Sequence, residues 1–331
     1  MRTITNNAHL PNAIFNALSK DTYVGGGDTS ATKLIAPPRI VALRKFHENE
    51  IVEDASDKIW SLLGSATHRI LELAASEHIK AEQRLYIPIE GIHLSDGPMV
   101  WKLSGQPDAY DTTDFSISDY KVTSVWSVLF GEKPEWIAQV NIQAMLHRHA
   151  GDRVDKGSII AIIRDWSKRK AAYEKDYPPV AIKVIPVPLW SQEEVMEYAK
   201  KRVKLHQKAQ LDYIASGKDA NVLPLCTEEE RWYRGASWAV KRIHNKFGKV
   251  NKKADRLCKT KAEAEQWITD NAANAPKGTS YIEPEERKGE NIRCIDYCDV
   301  AKFCPFGQAI IKERAAIAAA GPLSFKSDDD E

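Results

Sequence analysis

Between residues 105 and 121 the chain places two carboxylates and an ammonium at a spacing suited to holding a hard divalent cation. Gly105-Gln-Pro-Asp108 is followed by Ser118-Asp119-Tyr-Lys121. Asp119 and Lys121 stand two apart, so on a strand they project from one face. Asp108 closes the preceding strand-like segment, and a hairpin between the two segments would bring both carboxylates to one ion. Mg2+ takes oxygen ligands of this kind. An ammonium beside the ion can hold a nucleophilic water or stabilise charge developing on phosphate. Asp-x-Lys alone is commonplace on a solvated strand; the preceding Gly-x-Pro-Asp and the strand context give it weight.

Three more polar side chains belong with this set. His68, in Gly64-Ser-Ala-Thr-His68, falls nearly opposite the helical stripe Ile59, Leu63, Ala66, Ile70 and Ala74, so it is not placed as an ordinary core histidine. Gly64 and Ser65 leave room for a ligand beside it; an idle exposed histidine is the alternative. Gln139 and Gln143 lie one helical turn apart and share a face. Two amides there could contact a phosphate or fix a metal-bound water, or could simply form a polar helix face.

A second cluster is sulfur-based. Cys294-x3-Cys298-x5-Cys304-Pro305 has a spacing at which thiolates converge on zinc or an iron–sulfur cluster. A fourth ligand is needed. Cys226, in a proline-flanked loop, is the first choice and Cys258 the second; Cys258 ends a strand-like segment and reads as a small hydrophobe.

The elements that must position these groups can be read from periodicity and punctuation. Residues 1–55 read as an irregular or partly helical arm, interrupted at Gly25-Gly26-Gly27 and Pro37-Pro38. A long helix is predicted over 56–80 with the Ile59–Ala74 stripe facing the core. Strands are predicted over 84–89, 100–110 and 115–121, then a helix over 134–150 opened by Pro134. Further strands are expected at 158–163 and 180–187. Ser191-Gln-Glu-Glu194 resembles a capping box opening a helix to about residue 216. Residues 239–243 and 254–258, around a turn at 245–248, suggest a hairpin, and 261–271 a short helix. The fold class is therefore α/β, with helix, three strands, helix and strand in order.

The 331 residues are 43% hydrophobic and 28% charged, with a net charge of +1, enough for a sizeable core. No apolar run approaches the roughly 20 residues that cross a bilayer, and no secretory leader pattern opens the chain. The expected setting is cytoplasmic, without a membrane partner. Basic residues gather at 164–170, 200–208 and 241–256, and the acidic tail Asp328-Asp-Asp-Glu331 offsets them in the sum. Such clusters can screen phosphates, although each could also be a solvated face. No P-loop is present, which excludes that class of ATPase motor.

The motif order Gly-x-x-x-His, Gly-x-Pro-Asp, Asp-x-Lys and Gln resembles the RecB-like branch of the PD-(D/E)XK nucleases, over about residues 30–310. That branch includes CRISPR-adaptation nucleases and phage exonucleases. The resemblance implies a restriction-endonuclease-like core over 56–225. It also implies a hairpin–helix insert with a cluster-stapled subdomain over 226–310, and a C-terminal helix and tail over 311–331. The activity implied is that of a Mg2+- or Mn2+-dependent DNA exonuclease in phage or prokaryotic recombination or repair. His68, Asp108, Asp119 and the Tyr120 carbonyl match the metal ligands, Lys121 the catalytic lysine, and Glu82 a recurrent acidic position that could support a second ion. Gln139 matches the first residue of a Gln-x-x-x-Tyr motif. Gln143 stands where that motif has tyrosine and is a candidate DNA contact. A 4Fe–4S cluster on Cys226, Cys294, Cys298 and Cys304 is implied in preference to zinc, although the family's distant cysteine usually lies N-terminal to the core. DNA is the implied partner. A single-strand annealing protein follows from the phage likeness, and a homo-oligomer is left open. The rival is a non-catalytic DNA-binding or scaffold protein with a structural zinc or iron–sulfur site.

Overall fold

A computed structural model describes residues 2–20, 26–129, 131 and 133–319. Gly25 and the acidic tail lie outside the described residues. The chain divides into two units, Met1–Pro224 and Leu225–Glu331.

The described part of the first 55 residues, expected as an irregular or partly helical arm, contains helices whose side chains reach the interior. Of these, α1 (Ala31–Ile35) and α2 (Pro38–Phe46) carry Leu34 and Leu43 inward. Thr3–Thr5 pairs in parallel with Val52–Asp54. These elements are too short to show a period, which hides their buried positions in the sequence. The first turn of α1 is capped by Ser30, whose hydroxyl accepts the Lys33 N–H. At its other end the carbonyls of Leu34, Ile35 and Ala36 accept hydrogen bonds from Arg202, satisfying groups that a helix terminus leaves open.

The predicted long helix is α3 (Ile59–Leu73) and ends earlier than expected. Residues 79–81 instead form β1 (Ile79–Ala81), paired with a later strand. The α3 stripe is also reversed. Ile59, Leu63 and Ile70 are exposed, and no α3 residue is fully buried. The helix turns its His68 side, not its apolar stripe, toward the protein.

Strands β2 (Leu85–Leu94) and β3 (Gly97–Gly105) form a hairpin, and Thr29–Ser30 adds in parallel to β3. The predicted strand 100–110 is two strands in two sheets. β3 stops at Gly105, and β4 (Ala109–Asp111) belongs to a five-stranded sheet. Pro107, between them, has no N–H for a ladder. A Cβ at Gly105 would lie 2.3 Å from Leu146 Cδ1, so a side chain there would force the buried Leu146 to shift.

The remaining strands are β5 (Ser116–Thr123), β6 (Lys156–Ile163) and β7 (Ile182–Val187). The five-stranded order is β7-β6-β5-β4-β1, antiparallel except for β5 and β6. The parallel pair requires a crossover, supplied by α4 (Pro134–His149). Helix α5 (Gln192–Ala215) opens with the expected capping box. The main core joins α1, β2, β3, α4 and α5 through Leu34, Ile89, Leu103, Met145, Leu146 and Val203.

The second unit holds β8 (Ser237–Val240), β9 (Arg242–His244), β10 (Lys249–Val250), β11 (Arg256–Cys258), α6 (Lys261–Asn271), β12 (Thr279–Tyr281), β13 (Glu285–Arg287) and α7 (Pro305–Ala319). The predicted hairpin is split. Its first strand breaks at Lys241, so β8 joins a sheet ordered β11-β8-β13 and β9 joins one ordered β10-β9-β12. Among the described residues no helix is long and apolar enough to cross a membrane.

Candidate functional site

The antiparallel pairing of β4 with β5 sets the site. Ala109 lies opposite Ser118, so Asp108, one step before β4, falls beside Asp119 and Tyr120. Its Oδ2 accepts the Tyr120 N–H at 2.6 Å. Helix α3 delivers His68 to the same place. His68 Nδ1 lies 3.2 Å from Asp108 Oδ1 and 3.4 Å from Glu82 Oε1. Its Nε2 is 3.2 Å from the Tyr120 carbonyl. One ligand atom from each of His68, Glu82 and Asp108 lies within 4.8 Å of the others. The Asp108 hydrogen bond, followed by that of Glu82, raises the His68 pKa to about 10 in the ion-free protein.

Glu82 reaches the site through a strained backbone, with φ +50°, in a left-handed region that non-glycine residues seldom occupy. Its N–H donates to the Asp108 carbonyl at 3.4 Å. Gln106 holds its carboxylate by donating from Nε2 to Oε2 at 2.5 Å, and Gln106 in turn accepts from Arg84. Sequence reasoning missed this positioning role. The available signal was that Gln106 sits inside the Gly-x-Pro-Asp run.

Asp119 is only 1% exposed. Burial pushes its carboxyl above the usual range, and the Lys121 ammonium opposes that shift. Lys121 Nζ abuts Oδ2. Oδ1 accepts from Gln139 Nε2 at 2.6 Å and from Gln143 Nε2 at 3.2 Å. Gln143 is 2% exposed. Gln143, expected as a DNA contact, thus turns inward: its Nε2 donates to Asp119, and its Oε1 has no hydrogen-bond partner among the described residues. Gln139, one turn earlier and half-buried, also donates to Asp119, from the rim.

The structure thus brings His68, Glu82, Asp108 and the Tyr120 carbonyl together, with Asp119, Lys121 and Gln139 adjoining. Two oxygen-donor side chains, a backbone carbonyl and an imidazole suit a divalent cation; the neighbouring buried carboxylate adds charge for it to neutralise.

In the second unit, the thiols of Cys294, Cys298 and Cys304 act electrostatically on Cys226. Burial first, then neighbouring charge, pushes Cys226 up to about 12. Burial likewise pushes Cys298 up to about 11, against a hydrogen bond from the Val300 N–H. Arg231 and Arg293 act in the opposite sense on Cys294. Cys304 immediately precedes α7, and its carbonyl accepts the Gln308 N–H at 2.8 Å. Cys258 lies elsewhere, in an apolar cluster with Val240 and Ala264.

No family model matches the chain, and no curated protein matches it. Among solved structures it is similar to a crystal structure of SSO0001, at 18% identity and a TM-score of 0.38, over 57% of this chain and 83% of that one. It is also similar to a crystal structure of an alkaline exonuclease, LHK-Exo, from Laribacter hongkongensis. There the identity is 11% and the TM-score 0.31, over 57% of this chain and 91% of that one. Likenesses this distant leave the site's own chemistry as the guide to function.

Proposed function

We propose that the chain is a Mg2+- or Mn2+-dependent deoxyribonuclease with a PD-(D/E)XK core, acting as an exonuclease in phage or prokaryotic recombination or repair. The observation that carries this reading is the convergence of His68, Glu82 and Asp108 beside the Asp119–Lys121 pair. The donor set fits a hard cation. Asp119 Oδ2 is buried and, among the described residues, accepts no hydrogen bond of good geometry, so it has capacity to serve as a ligand. His68, Asp108, Asp119 and the Tyr120 carbonyl would hold the ion, with Glu82 supporting a second. A bound divalent ion supplies Lewis acidity toward phosphate and lowers the pKa of water.

The chain's own groups do the rest. Lys121 places an ammonium where the attacked phosphate gains charge. Gln139 and Gln143 keep Asp119 oriented, and Gln106 keeps Glu82 oriented. DNA is the substrate such a site suits, and a single-strand annealing protein is the partner to which its product would pass.

The same reading assigns a 4Fe–4S cluster to Cys226, Cys294, Cys298 and Cys304. The fit is supported by the Val300 N–H directed at a thiol and by two arginines beside Cys294. Arg231 Nε is buried and, among the described residues, has no hydrogen-bond partner, a donor suited to a sulfur-rich anion. Cys226 and the C-terminal trio flank residues 227–293, so the cluster would act as a staple across that insert.

The test is a digestion time course on end-labelled single- and double-stranded DNA with Mg2+, Mn2+ or EDTA. Nucleotide release with either ion and none in EDTA is expected. DNA that is bound but stays intact with both ions would overturn the reading in favour of a non-catalytic DNA-binding protein.

A further inference from the structure

We propose that the β9–β10 hairpin of the second unit is a separate nucleic-acid contact. In it Phe247 stacks on a base of single-stranded DNA while the surrounding lysines hold the flanking phosphates. This deepens the nuclease reading and rests on it for the identity of the ligand.

The hairpin presents Phe247 outward through a turn of fixed geometry. The His244 carbonyl accepts the N–H groups of Phe247 at 3.1 Å and Gly248 at 2.8 Å. Gly248 adopts φ +60°, the left-handed conformation that closes such a turn. β9 is held from both sides, by β10 and by β12. Asn245 at the turn's start is tied by its N–H to the Gly278 carbonyl at 2.9 Å and by its side chain to Ser280 at 2.8 Å. The stem is therefore anchored while the ring stands 74% exposed. An aromatic ring so exposed adds little to the fold's buried surface.

The charge around the ring selects the ligand. Residues 241–256 contain seven Lys or Arg and one acid, Asp255. Asp255 is taken by Arg242 at 2.6 Å, and Lys241 by Glu285. Lys246, Lys249, Lys252, Lys253 and Arg256 are exposed and, among the described residues, have no carboxylate partner. Lys246 Nζ lies 5.5 Å from the Phe247 ring centre. An aromatic platform within a field of unpaired cations is the arrangement that binds single strands, where unstacked bases offer a π face and phosphates offer charge. A duplex conceals its base faces, so it would meet the lysines but not the ring.

The experiment measures binding of the full chain in EDTA to a fluorescent single-stranded oligonucleotide and to the matching blunt duplex, across a salt series. Phe247→Ala is expected to weaken single-strand binding roughly tenfold and duplex binding less than twofold. Its melting temperature should be unchanged, because the ring is exposed. Replacing Lys246, Lys249, Lys252 and Lys253 together by Ala should flatten the log–log salt slope for the single strand by about 3. A Phe247→Ala protein that binds the single strand like wild type, or loses equally on duplex, overturns the proposal. That failure is distinct from failure of the nuclease reading, which shows as wild-type protein that binds DNA without cutting it in Mg2+ or Mn2+.

Discussion

Around Asp119, two amides and an ammonium converge on a carboxyl that burial pushes above its usual range. The amides and the lysine make different predictions. Lys121→Ala should lower turnover by a hundredfold or more, the scale set by removing one donor aimed at developing charge. The protein should stay folded, because Asp119 can take up a proton once its counter-ion is gone. Near-wild-type turnover by the purified variant would sink the assignment of Lys121. Gln143→Leu removes only a buried donor to Asp119. It should slow cleavage severalfold while leaving DNA affinity in EDTA within twofold of wild type. A large loss of affinity would restore Gln143 as a DNA contact. That Asp119 and Lys121 would lie side by side was legible, because residues two apart on a strand share a face. The inward turn of Gln143 was not legible, since helical spacing tells which residues share a face but not what that face meets.

At the scale of elements, punctuation outperformed periodicity. The capping box at Ser191, Pro134 at a helix start and helix Lys261–Asn271 all follow from local chemistry that needs no tertiary partner. The α3 stripe and the strand expected over 100–110 depended on what would pack against them, and there the reading failed. Helix α5 offers a test of such a tertiary dependence. His206 is 2% exposed, with Nε2 3.0 Å from the Leu34 carbonyl. Burial lowers its pKa from 6.5 to about 4. In the unfolded chain it protonates first as pH falls, so its contribution to the stability of the first unit is full above pH 6.5. It declines from there toward pH 4 and levels off below. From pH 7 to pH 5 the loss should be about 2 kcal/mol. His206→Gln keeps a donor for Leu34 and should remove that part of the decline. Urea denaturation at the two pH values checks it, and an equal decline in both proteins would assign the effect to other groups.

For the molecule as a whole, the proposed assignment of Cys226, Cys294, Cys298 and Cys304 to one cluster bears on how the second unit, with its long insert between the first and the other three, is held together. The first unit has an extensive core, whereas the buried cluster around Val240, Cys258 and Ala264 in the second is small. A unit with little apolar burial gains from a staple that closes a long loop. Burial raises the pKa of the Cys226 and Cys298 thiols, so on the proposed assignment cluster binding would displace protons and should weaken on acidification. Anaerobically purified protein is expected to be brown and to contain iron. Cys226→Ala, Cys294→Ala, Cys298→Ala and Cys304→Ala should each lose iron and stability in the second unit. Cys258→Ala should keep colour and iron, and should lose only what removing a small buried side chain takes from its cluster, about 1 kcal/mol. Iron and zinc analysis of the five variants decides the matter. Full iron in Cys226→Ala with loss in Cys258→Ala would exchange their roles, and one zinc without iron in the wild type would refute the cluster.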